Sequence, residues 1–213
     1  MEDIDAKIIR PFGPSILKAK IPERILNGLN DYIDKIIVDK KKSKNLDWGK
    51  NLIGDVSQEF KLEENFAKEV GWINFLGNCT AHWVKMETAK KMKKFGLLDS
   101  WVVRQFKHEY NPVHYHNGHV SGAGFLKLPK SFGEYVQKDE KQKKDYFGGT
   151  LNLLHGQRSF LSNSIFTIMP EVGDFYFFPH YLMHTVYPFR NTNEERRSIS
   201  FNAMIDLDIY TKI

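Results

Sequence analysis

Eight histidines occur in 213 residues, and all but His82 fall between positions 108 and 184. The sharpest local feature is Asn111-Pro112-Val113-His114-Tyr115-His116-Asn117-Gly118-His119. In an extended segment, residues i and i+2 project to the same side, so His114 and His116 aim two imidazoles at one point. Two neutral imidazoles on one rigid strand make half of a mononuclear metal site of a kind that iron, zinc, copper and nickel all accept. Alone the pair is weak, because paired histidines on an exposed strand are as readily polar surface. A third imidazole stands far away in sequence: Gly173-Asp174-Phe175-Tyr176-Phe177-Phe178-Pro179 reads as an apolar strand ending in a turn, and His184 follows five residues later. Metal sites in β-barrels are assembled from such distant strand edges. A further strand opens at Glu194-Glu195-Arg196-Arg197-Ser198-Ile199-Ser200-Phe201-Asn202. Its alternation places Arg196, Ser198, Ser200 and Asn202 on one face and Arg197, Ile199, Phe201 and Ala203 on the other. If the polar face points inward, its guanidinium must satisfy a bound anion or another charge; otherwise that face is solvated. The odd offset of His119 from His116 turns it away from the pair and leaves it beside the metal or on the substrate side. His180 reads as structural or rim, and His108 and His155 as surface. His82 is an ordinary helical position, and Asp174 is turn chemistry.

Two halves with different periods must position these residues. Over residues 22–98 the pattern is helical. Pro22 suits a first turn, and Ile25, Leu26, Leu29, Tyr32, Ile33, Ile36 and Ile37 follow the spacing of one buried stripe. A second helix is expected from Leu62 to Leu76, and a third, lysine-faced one runs from Trp83 to Phe95. Lys40–Asn45 and Asn51–Asp55 read as connections. From Trp101 onward, short β-rich runs (Trp101–Lys107, Val120–Leu128, Thr150–Leu154, Ser164–Ile168, Asp174–Phe178 and Ser198–Ile205) are separated by Gly, Pro and Asn turns. They predict an antiparallel sandwich or barrel. The charged segment Lys130–Tyr146 is expected to be a loop or lid over one end of it.

Composition narrows the classes. Hydrophobic residues at 41% and charged residues at 27% are globular proportions and exclude a disordered chain. No apolar run approaches the roughly 20 residues of a membrane span. The acidic opening Met1-Glu2-Asp3-Ile4-Asp5 is not that of a signal peptide. A single cysteine, Cys79, leaves no internal disulfide and no cysteine-built zinc site. A cytoplasmic protein is expected. The formal net charge is +5, gathered in lysine clusters at 40–44, 85–94 and 138–144. On a helix these fit a solvated face better than a nucleic-acid surface.

In order along the chain, the motifs resemble those of the Fe(II)- and 2-oxoglutarate-dependent oxygenases, with the prolyl-4-hydroxylase-like branch of bacteria and phages nearest. The resembling pieces are His114-Tyr115-His116, Ser121-Gly122-Ala123-Gly124-Phe125-Leu126-Lys127-Leu128-Pro129, Gly148-Gly149-Thr150-Leu151, Gly173-Asp174 through Pro179, His184, and Arg196-Arg197-Ser198. They span residues 100–205. The resemblance implies an α+β fold in which N-terminal helices support a double-stranded β-helix (jelly-roll) core. It reads as a single domain over 1–213, with 1–99 mainly helical and 100–213 carrying the site. His114 and His184 resemble the first and distal iron ligands. Arg196, aided by Ser198, resembles the clamp on the far carboxylate of 2-oxoglutarate. Most of the family has Asp where His116 stands, so His116 is read as filling the carboxylate slot in a three-histidine site. Phe125 stands where many relatives have a tyrosine touching the cosubstrate. The implied reaction is hydroxylation of a peptidyl substrate, prolyl included, or of a small molecule, coupled to decarboxylation of 2-oxoglutarate to succinate. Two alternatives stay open: a cupin-like jelly-roll metalloprotein without 2-oxoglutarate, and a non-enzymatic basic binding module.

Overall fold

The computed structural model describes residues 5–9, 13–130, 132, 148–190 and 192–211. Eleven strands and five helices follow in order: β1 (Ala6–Ile9), β2 (Ile16–Lys20), α1 (Glu23–Val38), α2 (Lys40–Asn45), β3 (Gln58–Lys61), α3 (Glu64–Glu69), α4 (Trp72–Thr88), β4 (Phe95–Gln105), β5 (Asn111–His114), β6 (Val120–Lys127), β7 (Leu151–Leu154), β8 (Ile165–Ile168), β9 (Asp174–Pro179), β10 (Met183–Val186), β11 (Arg196–Ile205) and α5 (Leu207–Tyr210). Two antiparallel sheets result. The larger has the order β1-β2-β9-β6-β11-β4-β3 and the smaller β5-β10-β7-β8. This is the helix-supported jelly roll that the motifs imply.

The helices cover one face of the larger sheet. Ile25, Leu29, Tyr32, Ile33 and Ile36 of α1 are buried, as the stripe predicts. They share a core with Trp72, Phe75 and Leu76 of α4 and with Phe175, Phe177, Ile199 and Phe201 of the sheet. Gly122 of β6 is required there, because a Cβ would stand 2.6 Å from the Phe175 ring and 2.7 Å from that of Phe201. The other face looks toward the smaller sheet across a second apolar cluster that includes Ile16, Phe125, Leu151, Leu153, Phe178 and Leu182.

Several local expectations are corrected. Lys40–Asn45 is a helix rather than a connection, started by Asp39, whose carboxylate accepts from the Lys41 and Lys42 amides at 3.0 Å. With no buried residue it carries no apolar stripe for periodicity to register. The expected helix over 62–76 is divided at Gly71 (φ 88°) into α3 and α4. The lysine-faced helix stops at Thr88, where Ala89 turns left-handed, and Phe95 already begins β4. Lys93 and Lys94 instead donate their amides to the Asp206 carboxylate, at 2.6 and 3.0 Å. The N-terminal half also contributes three strands, β1, β2 and β3, to the larger sheet. Short and on or near its edges, they carry too few alternations to stand out. The segment Lys130–Tyr146 lies, apart from Lys130 and Phe132, outside the described residues. No helix among the described residues is long and apolar enough to cross a membrane.

Candidate active site

The two sheets enclose a cavity of about 190 Å³. From the smaller sheet come His114, His184, Leu151 and Val186, with His116 just beyond the end of β5. From the larger come Arg196, Ser198 and Ser200 of β11, Ala123 and Phe125 of β6, Trp101 and Val103 of β4, and Glu59 of β3.

His114 and His184 are directly opposite each other in the β5–β10 ladder, which puts both rings on one face. Their centroids are 4.2 Å apart, and that of His116 lies 5.0 and 4.8 Å from them. The three ligand atoms lie within 4.8 Å of one another, and among the described residues this is the one group of three or more ligating side chains so gathered. The Nε2 atoms of His116 and His184 are 3.1 Å apart. Two nitrogens at right angles on one ion, each bonded at about 2.1 Å, stand about 3 Å apart. The donor set therefore fits a metal ion. Nδ1 of His114 donates to the Pro112 carbonyl (2.8 Å) and Nδ1 of His184 to that of Leu182 (2.9 Å), which leaves each Nε2 bare toward the cluster. Burial lowers all three titrations. That of His116 falls to about 2, burial being reinforced by His184 and His114, and that of His184 falls to about 3. The imidazoles are thus neutral, which is the ligating form.

The alternation read along β11 holds. Arg196, Ser198 and Ser200 line the cavity, while Ile199, Phe201 and Ala203 join the helix-side core. Two adjacent arginines meet opposite fates. Arg197 is buried but paired, its guanidinium donating to Glu195, to Asp34 and to Asn30. Arg196 is 2% exposed, and its Nε has no hydrogen-bond partner among the described residues. Its contacts are the Ser198 hydroxyl at 3.4 Å and the face of Phe125 at 5.1 Å. Burial pushes it down to about 9, so it remains a cation at neutral pH. A guanidinium buried without a carboxylate partner is costly unless an anion arrives to pair with it.

The remaining histidines separate cleanly. His180 supports the site from behind: its Nδ1 donates to the His116 carbonyl and its carbonyl accepts the His116 amide, both at 3.0 Å. Tyr210 donates its hydroxyl to Nε2 of His180 at 2.7 Å. His119 is not beside the histidine cluster. It is buried against Tyr210, stacked at 3.9 Å, with Nδ1 accepting the Ile205 amide. Asp174 is more than a turn residue: fully buried, it is gripped by Lys18 at 2.6 Å and Lys20 at 2.5 Å. Trp101 lies edge-on to His116 at 5.4 Å as a wall of the cavity. Sequence reasoning missed Glu59 and the 51–54 loop as lining groups, since both fell in a stretch read as helical or connecting.

Residues 99–202 match the family model described as "Putative 2OG-Fe(II) oxygenase". Over those residues the chain is similar to the 2OG-Fe(II) oxygenase family. Its members use Fe(II) and 2-oxoglutarate as cofactor and cosubstrate, and the three histidines and Arg196 fall inside the matched residues. A prolyl-4-hydroxylase of Pseudomonas putida shares the fold at a TM-score of 0.57 and 14% identity, over 88% of this chain and 91% of that one. A prolyl hydroxylase of Trichoplax adhaerens, in complex with a hypoxia-inducible-factor peptide, does so at 0.54 and 12%, over 98% and 86%. The non-haem α-ketoglutarate-dependent epimerase SnoN of nogalamycin biosynthesis gives 0.57 and 9%, over 89% and 76%. Among curated proteins none matches this chain by sequence.

Proposed function

We propose that His114, His116 and His184 hold Fe(II), that Arg196 with Ser198 holds the distal carboxylate of 2-oxoglutarate, and that this oxygenase hydroxylates a peptidyl or small-molecule substrate. The observation carrying the reading is the Arg196 guanidinium, without a carboxylate partner among the described residues and buried in the same cavity as three neutral imidazoles. A cupin-like site would have no use for that cation. A lysine-borne binding module would not need a buried histidine cluster.

Bound Fe(II) and 2-oxoglutarate supply the oxidising chemistry, in which the keto acid is spent as succinate and carbon dioxide. The chain's own residues bind, orient and exclude water. Arg196 and Ser198 sit on one strand face and offer hydrogen bonds to an incoming carboxylate. Phe125, Leu151, Val186 and Val103 keep that end of the cavity apolar, which strengthens the arginine's hold. The carbonyls of Pro112 and Leu182 fix the rings of His114 and His184, so an ion would meet ligands already aligned. With histidine at 116 the ligand set carries no negative charge, so the iron would be more electron-poor than beside an aspartate. The helical half and the β half act as one domain in this reading, supported by the apolar core they share. The substrate class is not given by the fold, which also serves an epimerase.

The test is anaerobic titration of the metal-free protein with Fe(II), with and without 2-oxoglutarate. A visible charge-transfer band that needs both supports the reading. Arg196→Ala should abolish the band and leave iron binding intact. A band unaffected by that change would sink the arginine assignment, and an absent band in the parent protein would sink the whole reading.

A further inference from the structure

We propose that Glu59 determines specificity in this cavity by receiving a basic nitrogen of the substrate, an ammonium or a guanidinium. This deepens the oxygenase reading and rests on it for the location of the reacting centre. Glu59 is 3% exposed, lines the cavity with the histidines and Arg196, and has an Oε2 with no hydrogen-bond partner among the described residues. No lysine, arginine or histidine among those residues pairs with it. Buried glutamates are otherwise almost always paired.

Its position is set by the sheet. Glu59 is opposite Val103, Val103 is opposite Ser198, and Ser198 is opposite Phe125. One row thus runs from the carboxylate to the proposed cosubstrate anchor on the cavity-facing side, and Glu59 stands two strand spacings, roughly 10 Å, from Ser198. Arg196 marks the anionic ligand's end of the cavity and Glu59 a second end of opposite sign.

The surroundings of Glu59 favour a cation over a neutral donor. Burial first, and then the nearby Asp47 and Glu109, raise its titration to about 7. Both of these neighbours have donors of their own. Asp47 accepts the Gly49 amide at 3.0 Å, and Glu109 accepts those of Ser57 and Phe106 at 3.1 and 2.8 Å. Three acids, with no base paired to Glu59 among the described residues, leave a negative field that a bound cation would relieve. The cation is not a metal ion, since these carboxylates do not gather as the histidines do. The 51–54 loop closes over this end, stitched to the approach of β5 by reciprocal backbone bonds between Asp55 and Tyr110. Gly54 permits the closure: a Cβ there would be 2.0 Å from Asn111 Oδ1 and 3.1 Å from Glu59 Oε1.

The test measures binding to the Fe(II)- and 2-oxoglutarate-loaded protein, held anaerobic so that nothing turns over, by titration calorimetry. Probes are N-acetyl-lysine and N-acetyl-arginine N-methylamides, free lysine and free arginine, and the neutral N-acetyl-norleucine N-methylamide. The basic probes should bind at least about tenfold more tightly than norleucine, and Glu59→Gln should erase most of that margin. A stronger response to capped or to free forms tells a peptidyl source from a metabolite. Equal affinity for basic and neutral probes, no binding of the basic ones, or an unchanged margin in E59Q overturns the proposal. The charge-transfer band of E59Q is recorded in parallel: if it persists while the margin is absent, the failure belongs to Glu59 and not to the oxygenase site. Should E59Q fold poorly, the preference of the parent protein among the probes still decides.

Discussion

His180 grips the main chain of His116 at two points, accepting its amide through a carbonyl and donating a ring N–H to its carbonyl, each at 3.0 Å. His116 lies beyond the last residue of β5, so ladder hydrogen bonds do not fix it and this clasp does. His180→Ala removes the ring bond. Such supporting partners contribute roughly 10- to 100-fold to metal affinity. We expect a weakening of that order in Fe(II) binding for H180A, with a smaller loss for Tyr210→Phe, measured by competition with a chromophoric chelator. Affinity equal to the parent's would show that His116 is held by other means.

Arg196→Met should separate two roles. The thioether fills much of the same volume and removes an unpaired buried cation, so the metal-free protein should melt no lower than the parent. Affinity for 2-oxoglutarate should fall by at least about a hundredfold, while Fe(II) stoichiometry stays at one per chain. A variant that keeps its cosubstrate affinity places the carboxylate elsewhere.

In the proposed site, histidine at 116 would set a charge as well as supply a ligand. His116→Asp introduces a buried carboxylate beside His184 and Trp101, which costs stability until a cation neutralises it. The metal-free variant should therefore melt below the parent, and Fe(II) should raise its melting temperature by more. Thermal melts with and without Fe(II) read both shifts; an iron-induced rise no larger than the parent's contradicts the placement of 116 at the metal.

Glu59 makes stability fall with rising pH. Its carboxyl titrates at about 7 in the folded chain against 4.5 for the free group. Between those values the folded protein keeps a proton that the unfolded chain has released, so folding weakens from about pH 4.5 to about pH 7 and is level above. Glu59→Gln removes this dependence. Urea unfolding at pH 8 should show E59Q more stable by about 2–3 kcal/mol, with the gain fading toward pH 4.5. Coincident curves at pH 8 would mean that the carboxylate is already compensated.

The parts of the site legible in the sequence were those with strict spacing. His114, the alternation along β11, and the Gly-Asp to Pro strand before His184 each follow from the period-two geometry of strands, whereas His116, past the end of β5, is placed by the His180 clasp. The α1 stripe was legible for the matching helical reason. What stayed hidden depends on pairings between distant segments. Nothing local shows that Gln58–Lys61 adds to the edge of a sheet built mostly from the other half, so Glu59 looked like one helical glutamate among many. The ends of α4 and the existence of α2 were hidden by lysine runs, whose charge carries no periodicity. His119 shows the limit of offset arguments. Its offset does turn it from the histidine pair, but only the folded chain reveals Tyr210 and the Ile205 amide as its partners.

The pairing of His114 with His184 joins chain segments seventy residues apart through a strand of four residues on each side. So short a ladder has little of its own to keep it shut. An ion shared by the two rings would work as a detachable rivet on the smaller sheet, and chelation should loosen that sheet while the helix-backed one stays firm. Availability of iron would then govern how readily this half of the protein breathes, as well as whether it can react.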